Sequence, residues 1–166
     1  MSQQRKLEDR VTSLSFNENA NWRKVQQEIL DHLGHNDYYV SSASERGGDL
    51  ACVYSVGLWH SFKHPEIITF GLPEEQGRCL LLDLRNLIKL GHFPMVSRAL
   101  GRCVGHYPIQ LEPIRDRQII REYLPMANWF YGEESFPVFQ LFWSDLDGRF
   151  SWDQYLEPGY PMPQTV

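Results

Sequence analysis

The stretch GLWHSFKHPEIITFGL, residues 57–72, decides how this chain is read. It follows an apolar run on its N-terminal side and ends in a strand-like run that closes on Gly-Leu. The run EIITFGL, residues 66–72, is β-branched and aromatic, a strand pattern. Ahead of it, LACVYSV, residues 50–56, reads as a buried strand. Cys52, Tyr54 and Val56 fall on one side of it, and Ala51, Val53 and Ser55 on the other. Between the two lies GLWHSFKHP. Pro65 pushes the residue before it out of the α region, so His64 is not expected to be helical. Residues 57–66 therefore read as a polar loop between two strands.

Working outward, NWRKVQQEILDHLG reads as a helix, with Asn21 as N-cap and Gly34 as its stop. Trp22, Val25, Ile29 and Leu33 share its apolar face. DYYV, residues 37–40, reads as a short strand, and SSASERGGD as a loop. The stretch PEEQGRCLLLDLRNLIKLG is the strongest helix pattern. Glu74 and Glu75 suit the positive end of its dipole, and Leu80, Leu81, Leu84, Leu87 and Ile88 form a broad apolar stripe. Residues 104–114 alternate like a strand, with Pro108 marking an edge or bulge. RDRQIIREYL is a short helix stopped by Pro125. FPVFQLFWSD is a strand, and Asp147-Gly148 signals a hairpin turning back from it. The expected class is α+β: one domain, a mixed or mostly antiparallel sheet, flanked by two to three helices. Residues 1–20 read as a polar arm, 21–156 as the domain, and 157–166 as a Pro-rich extended tail.

The bulk numbers bound the function. A length of 166 residues fits one domain, which buries roughly two thirds of its unfolded surface. A formal net charge of −5 argues against binding along a phosphate backbone, so no nucleic-acid partner is expected. Cys52, Cys79 and Cys103 are too dispersed for a disulfide framework or a zinc knuckle. The N-terminus lacks the apolar core of a signal peptide, and no apolar run is long enough to span a bilayer. The expectation is a cytoplasmic chain with no membrane partner. No cofactor is indicated, and no phosphate-cradling glycine loop occurs.

The chemistry concentrates in WHSFKHPE. His60 and His64 stand four apart, a metal-binding spacing on a helix, but Pro65 removes that geometry. A weaker metal reading would converge His60, His64 and Glu66 with His106 or His92. An acid–base reading pairs His64 with Glu66, an oriented imidazole tuned near neutral pH. It lacks a nucleophile motif. The structural reading has His64 and Glu66 tying down a loop whose turn Pro65 sets. WSDLDGRFSWD places Asp145, Asp147 and Asp153 as a calcium loop would only superficially, and a hairpin turn accounts for it better. The aromatic cluster NWFYG, with Trp143, Trp152 and Tyr155, reads first as core and second as a pocket or partner surface.

Together these residues resemble the bacterial family catalogued as domain of unknown function 4262. The resemblance rests on Tyr54, Gly57 and Leu58, on the triplet His64-Pro65-Glu66, and on Gly71 and Leu72. It continues through Trp143, Asp145, Gly148, Arg149, Phe150 and Trp152. Ser144 and Ser151 stand where that pattern has proline. The family implies no settled reaction. A looser similarity of the YSVGL, HPE and FGL segments to suppressor-of-fused-like domains implies an interaction or toxin-immunity module, by analogy alone.

The expected function is thus a protein-binding or immunity-like module, its ligand a protein partner or a second copy of the chain. The expected binding residues are His60, His64, Glu66, Asp145, Arg149 and Trp152, with Arg149 pairing Glu66 or a partner carboxylate. The alternative is a small enzyme in which His64 and Glu66 are the catalytic pair.

Overall fold

The apolar runs form the middle of a five-stranded sheet of order β1-β2-β3-β5-β4. The computed structural model describes residues 7–11, 19–43, 51–92, 108–132, 135–145 and 147–152. The strands are β1 (Tyr39–Ala43), β2 (Cys52–Val56), β3 (Glu66–Phe70), β4 (Ile109–Ile114) and β5 (Val138–Trp143). All neighbours are antiparallel except β3 and β5, which run parallel with Glu66 opposite Val138 and Thr69 opposite Leu141. The fold is α+β with a mixed sheet. β2 and β3 are buried along their whole length, which is why they read as near-continuous apolar runs.

Helices cover both faces. The described helices are α1 (Ala20–Asn36), α2 (Leu58–Phe62), α3 (Glu74–Lys89), α4 (Arg117–Tyr123) and α5 (Pro125–Tyr131); residues 7–11 are also helical. On one face Ile29, Leu33, Cys52, Tyr54, Ile68 and Phe130 join α1, α4 and α5 to the sheet. On the other, Val53, Ile67, Leu81, Leu84, Ile88 and Leu141 join α3 to it. The alternation read in residues 50–56 is this division: Cys52, Tyr54 and Val56 belong to the first cluster and Val53 to the second. Gly77 lets α3 settle closely, since a Cβ there would stand 2.8 Å from Val53 Cγ2.

Several local expectations are corrected. The N-cap of α1 is Asn19, whose Oδ1 accepts from the N–H groups of Asn21 and Trp22. The helix runs past Gly34 to Asn36 and stops where Asp37 turns left-handed at φ 68°. Trp22 is exposed, and Gln26 and Leu30 take buried places instead. The connection between β2 and β3 is not merely a loop, because residues 58–62 form α2. Pro125 does not only end α4; at the first position of α5 its fixed φ starts a second helix. The turn at Asp147-Gly148 is present, but among the described residues no strand returns along β5, whose two neighbours are β3 and β4. β4, which Pro108 precedes, is an edge strand as expected. Residues 153–166 and 93–107 lie outside the described residues, and so do Asp153, Tyr155 and Cys103.

Candidate functional site

Glu66 begins β3 and is fully buried. An isolated carboxyl there would be costly, and its surroundings are built of donors. Its Oε1 accepts from the N–H of Gly57 at 2.9 Å, from the N–H of Trp59 at 3.0 Å, and from the Tyr131 hydroxyl. Its Oε2 accepts from Ser55 Oγ at 2.5 Å. Ser55 Oγ in turn accepts from Ile67 N–H at 2.9 Å, and Tyr131 Oη accepts from His60 N–H at 3.2 Å. Two backbone N–H groups thus fix both hydroxyl protons toward the carboxyl. Burial pushes the Glu66 carboxyl above the usual range, against the pull of these four donors. Burial and the neighbouring carboxyl push the Tyr131 phenol up strongly.

The arrangement has a local purpose. Gly57 is the N-cap of α2 and has no side chain to cap it; its φ of 110° is one that favours glycine. Glu66 and Tyr131 therefore hold the first N–H groups of α2 from outside, doing the work a Ser or Asp cap does elsewhere. α2 closes with Lys63 left-handed at φ 58°, and His64 follows outside the helix. His60 and His64 do not share a helix face.

Neither histidine is a partner of Glu66. His64 is buried, its Nδ1 donating to the Pro65 carbonyl at 2.7 Å and its ring edge-on to Phe139. Burial lowers its pKa below the ordinary 6.5. His60 lies edge-on to Phe130 and forms part of the wall of a cleft of about 610 Å³, beside Ser61, Asp37 and Leu7. The expected His64–Glu66 acid–base pair is not formed. Glu66 presents no surface to a substrate, and its acceptor sites are spent on the fold.

Asp145, Arg149 and Trp152 stand elsewhere. Glu66 is level with the start of β5, and these residues follow its end, roughly 17 Å away along the strand. The expected Arg149–Glu66 pair is overturned by that separation. Arg149 instead pairs with Asp147 at 2.7 Å and approaches Asp145 at 4.0 Å. Asp145 Oδ1 accepts from the N–H groups of Asp147 and Arg149, so it organises the turn. Trp152 stacks flat on Phe150 at 4.9 Å, lies edge-on to Phe142, and is 50% exposed. It borders a cleft of about 370 Å³ on the outer corner of β4 and β5, with Gln110, Glu112, Gln140 and Phe142 among its walls.

Sequence reading found Glu66 and Trp152 but missed the residues that give each its setting. Tyr131 sat in an aromatic cluster read as core; its polar tip was the signal that it would seek a buried partner. Ser55 reads only as one position of a buried strand, and a hydroxyl there needs a buried partner. Gln140 stands inside the apolar run of β5, and a glutamine at such a position marks either a buried network or a site wall. Among the described residues no group of three or more His, Cys, Asp or Glu could hold a metal ion. His106, one of the expected metal candidates, lies outside them.

The model of the family described as Domain of unknown function (DUF4262) matches residues 30–157. No curated protein and no solved structure matches the chain.

Proposed function

We propose that this chain, which belongs to the Domain of unknown function (DUF4262) family, works as a protein-binding module of the cytoplasm. Its His-Pro-Glu segment is scaffold, and its binding surface lies beside Trp152. One observation carries the reading. Trp152 is a large aromatic held half-exposed on a stacked neighbour, at the rim of a cleft with mixed polar and apolar walls. Rigid aromatics of this kind anchor interfaces, because they bury much area and lose little side-chain freedom. The immunity-like character implied by the looser resemblance is compatible with such a surface. The enzyme alternative would have to act through His64 and Glu66, and both are buried.

The test is a photo-cross-linking residue placed at position 152 and, as a control, at exposed Leu82 on α3. The reading expects one defined adduct from position 152 in the host cell, a second protein or a second copy, and not from position 82. The purified partner should then bind wild-type protein and Glu66→Gln but not Trp152→Ala. An adduct common to both positions, or equal binding by Trp152→Ala, would overturn it. No helix among the described residues is long and apolar enough to cross a membrane, which is consistent with this setting.

A further inference from the structure

We infer that a second cleft, at the β1 edge of the sheet, is a binding site for a small monocarboxylate with an apolar body, held by Arg78, Tyr38 and Leu82. β1 and β4 are the two edge strands, and the cleft beside Trp152 lies along β4. The two sites are therefore separate, and this inference does not depend on the binding reading. A ligand this small forms no protein adduct, so position 82 still serves as the control for position 152.

The cleft follows from how the chain enters β1. Successive strand residues face opposite sides of a sheet. Tyr39 turns toward α1, where its ring lies edge-on to His32 at 5.3 Å and its hydroxyl donates to Glu28 at 3.3 Å. Tyr38 turns toward α3, where the Arg85 guanidinium stands 5.3 Å from its ring centroid. The edge of β1 is thus bracketed by the end of α1 and one face of α3. His32 and Asn36 close it on one side and Arg78, Leu82 and Arg85 on the other, around about 400 Å³. That volume is in the range of small-ligand sites. Along α3 these three side chains are spaced four and three residues apart, so they share a face. Leu82 is 45% exposed there, an apolar surface between two fixed positive charges.

The two arginines differ in role. Arg85 is spent on the fold: its Nη2 donates to the Asn36 carbonyl at 2.7 Å and its Nη1 to Asn86 Oδ1 at 3.1 Å. It gives the cleft charge. Arg78 keeps donors. Its Nε donates to Glu74 Oε1 at 2.9 Å, its Nη1 to the Val40 carbonyl at 2.7 Å, and it stands beside the Tyr39 hydroxyl. A guanidinium has five N–H groups, so two remain on a side chain that lines the cleft and is 40% exposed. The Glu74 bond is an exposed pair four residues apart, a kind that holds its arginine weakly. Burial raises the pKa of Tyr38 while both guanidiniums oppose the rise, so its hydroxyl stays protonated and donates.

These donors fit a carboxylate. The planar fork of Arg78 matches its two oxygens, and the Tyr38 hydroxyl takes a further lone pair. Leu82 covers the apolar body. Among the described residues no carboxylate lines the cleft, but Glu28, Asp37 and Glu74 stand at its margins, Asp37 pairing with Lys89 at 3.2 Å. They repel a dianion more than a monoanion, which makes phosphate the poorer ligand.

The experiment titrates sodium hexanoate into nitrogen-15-labelled full-length protein at constant ionic strength. Binding of about millimolar strength is expected for so small a ligand. Saturable shifts should appear at the Arg78 Nε–H and at the backbone amides of Tyr39 and Leu82. Hexanamide, similar in shape but neutral, should bind about tenfold more weakly. Acetate, which lacks the apolar body, and inorganic phosphate should also be weaker. Arg78→Gln should weaken hexanoate about tenfold. Tyr38→Phe keeps the ring beside Arg85 and should weaken it about threefold; it decides the matter if Arg78→Gln disturbs the fold through its lost bond to Val40. No saturable shift, equal binding of hexanamide, or undiminished binding in either variant would overturn the site. Acetate or phosphate binding as tightly as hexanoate would overturn the assignment of an apolar monocarboxylate.

Discussion

Glu66 shows how a residue chosen from sequence for its reactivity can serve the fold instead. Each of its oxygens is engaged, and two of its four donors are the backbone N–H groups of Gly57 and Trp59 at the start of α2. Glu66→Ala leaves those N–H groups and two hydroxyls buried around a cavity. Each orphaned group costs about 1–3 kcal/mol, so a loss of about 4 kcal/mol is expected. At about 2–4 °C per kcal/mol for a chain of this size, thermal unfolding should show a fall of roughly 10 °C. Glu66→Gln keeps the acceptor oxygen and should cost far less. The pH dependence follows from the same burial. The folded carboxyl is held above its ordinary 4.5, so the unfolded chain releases that proton first as pH rises. Its contribution is therefore complete below 4.5 and declines as pH climbs through the folded value. His64 acts the other way: its folded pKa lies below 6.5, so its contribution is present above 6.5 and is lost as pH falls through the folded value. Denaturation of Glu66→Gln across this range should lose the decline that rising pH produces and keep the His64 loss toward acid. A wild-type pH profile in Glu66→Gln would show that Glu66 does not titrate in this way.

Elements differ in how much of themselves they carry in sequence. β2, β3 and α3 were legible because a buried strand is a continuous apolar run and an amphipathic helix has a 3.6-residue stripe. α2 was not. Five residues give too little periodicity to read, and a helix so short does not hold itself together. It exists because a glutamate seven residues after Trp59 and a tyrosine from α5 bond its first N–H groups, and that contact is tertiary. α5 was missed for a related reason: Pro125 was read as a stop, although proline both ends one helix and begins another. The entry to α2 also depends on Gly57. A Cβ at this position would meet Leu33 Cδ2 at 2.2 Å and the Asp37 carbonyl at 3.2 Å, and φ is 110°. Gly57→Ala is thus expected to destabilise by about 2 kcal/mol or more, through strain and the displacement of α1 against α2. Chemical denaturation with an unchanged m-value checks it; an effect near zero would mean that the α1–α2 junction yields freely.

At the scale of the whole molecule, the topology decides which sequence neighbours become spatial neighbours. The two segments that dominate the sequence, 57–66 and 143–152, were expected to form one surface. The parallel pairing of β3 with β5 prevents this, because it aligns the start of both strands and sends the residues after β5 to the opposite end of the sheet. Sequence patterns report an element's period and its boundaries; they do not report which strand is inserted between which, and here β5 enters between β3 and β4. The molecule is left with a sealed polar knot at the start of β3 and a cleft that runs along β4 from Trp152 to Asp116. A consequence follows for energetics. Residues that share no partner and lie more than about 10 Å apart add within about 0.5 kcal/mol. Glu66 and Trp152 meet no common side chain: the first is bonded to Ser55, Gly57, Trp59 and Tyr131, the second rests on Phe142 and Phe150. In a double-mutant cycle, Glu66→Gln and Trp152→Ala should therefore sum in stability. Trp152→Ala alone should change stability by less than about 1 kcal/mol, since half of its ring already faces water. The same cycle read by partner binding should assign the whole loss to Trp152→Ala. A coupling energy well above 0.5 kcal/mol would instead mean that β5 transmits a change from one end of the sheet to the other. The buried knot would then be part of how the surface binds, not only of how the chain folds.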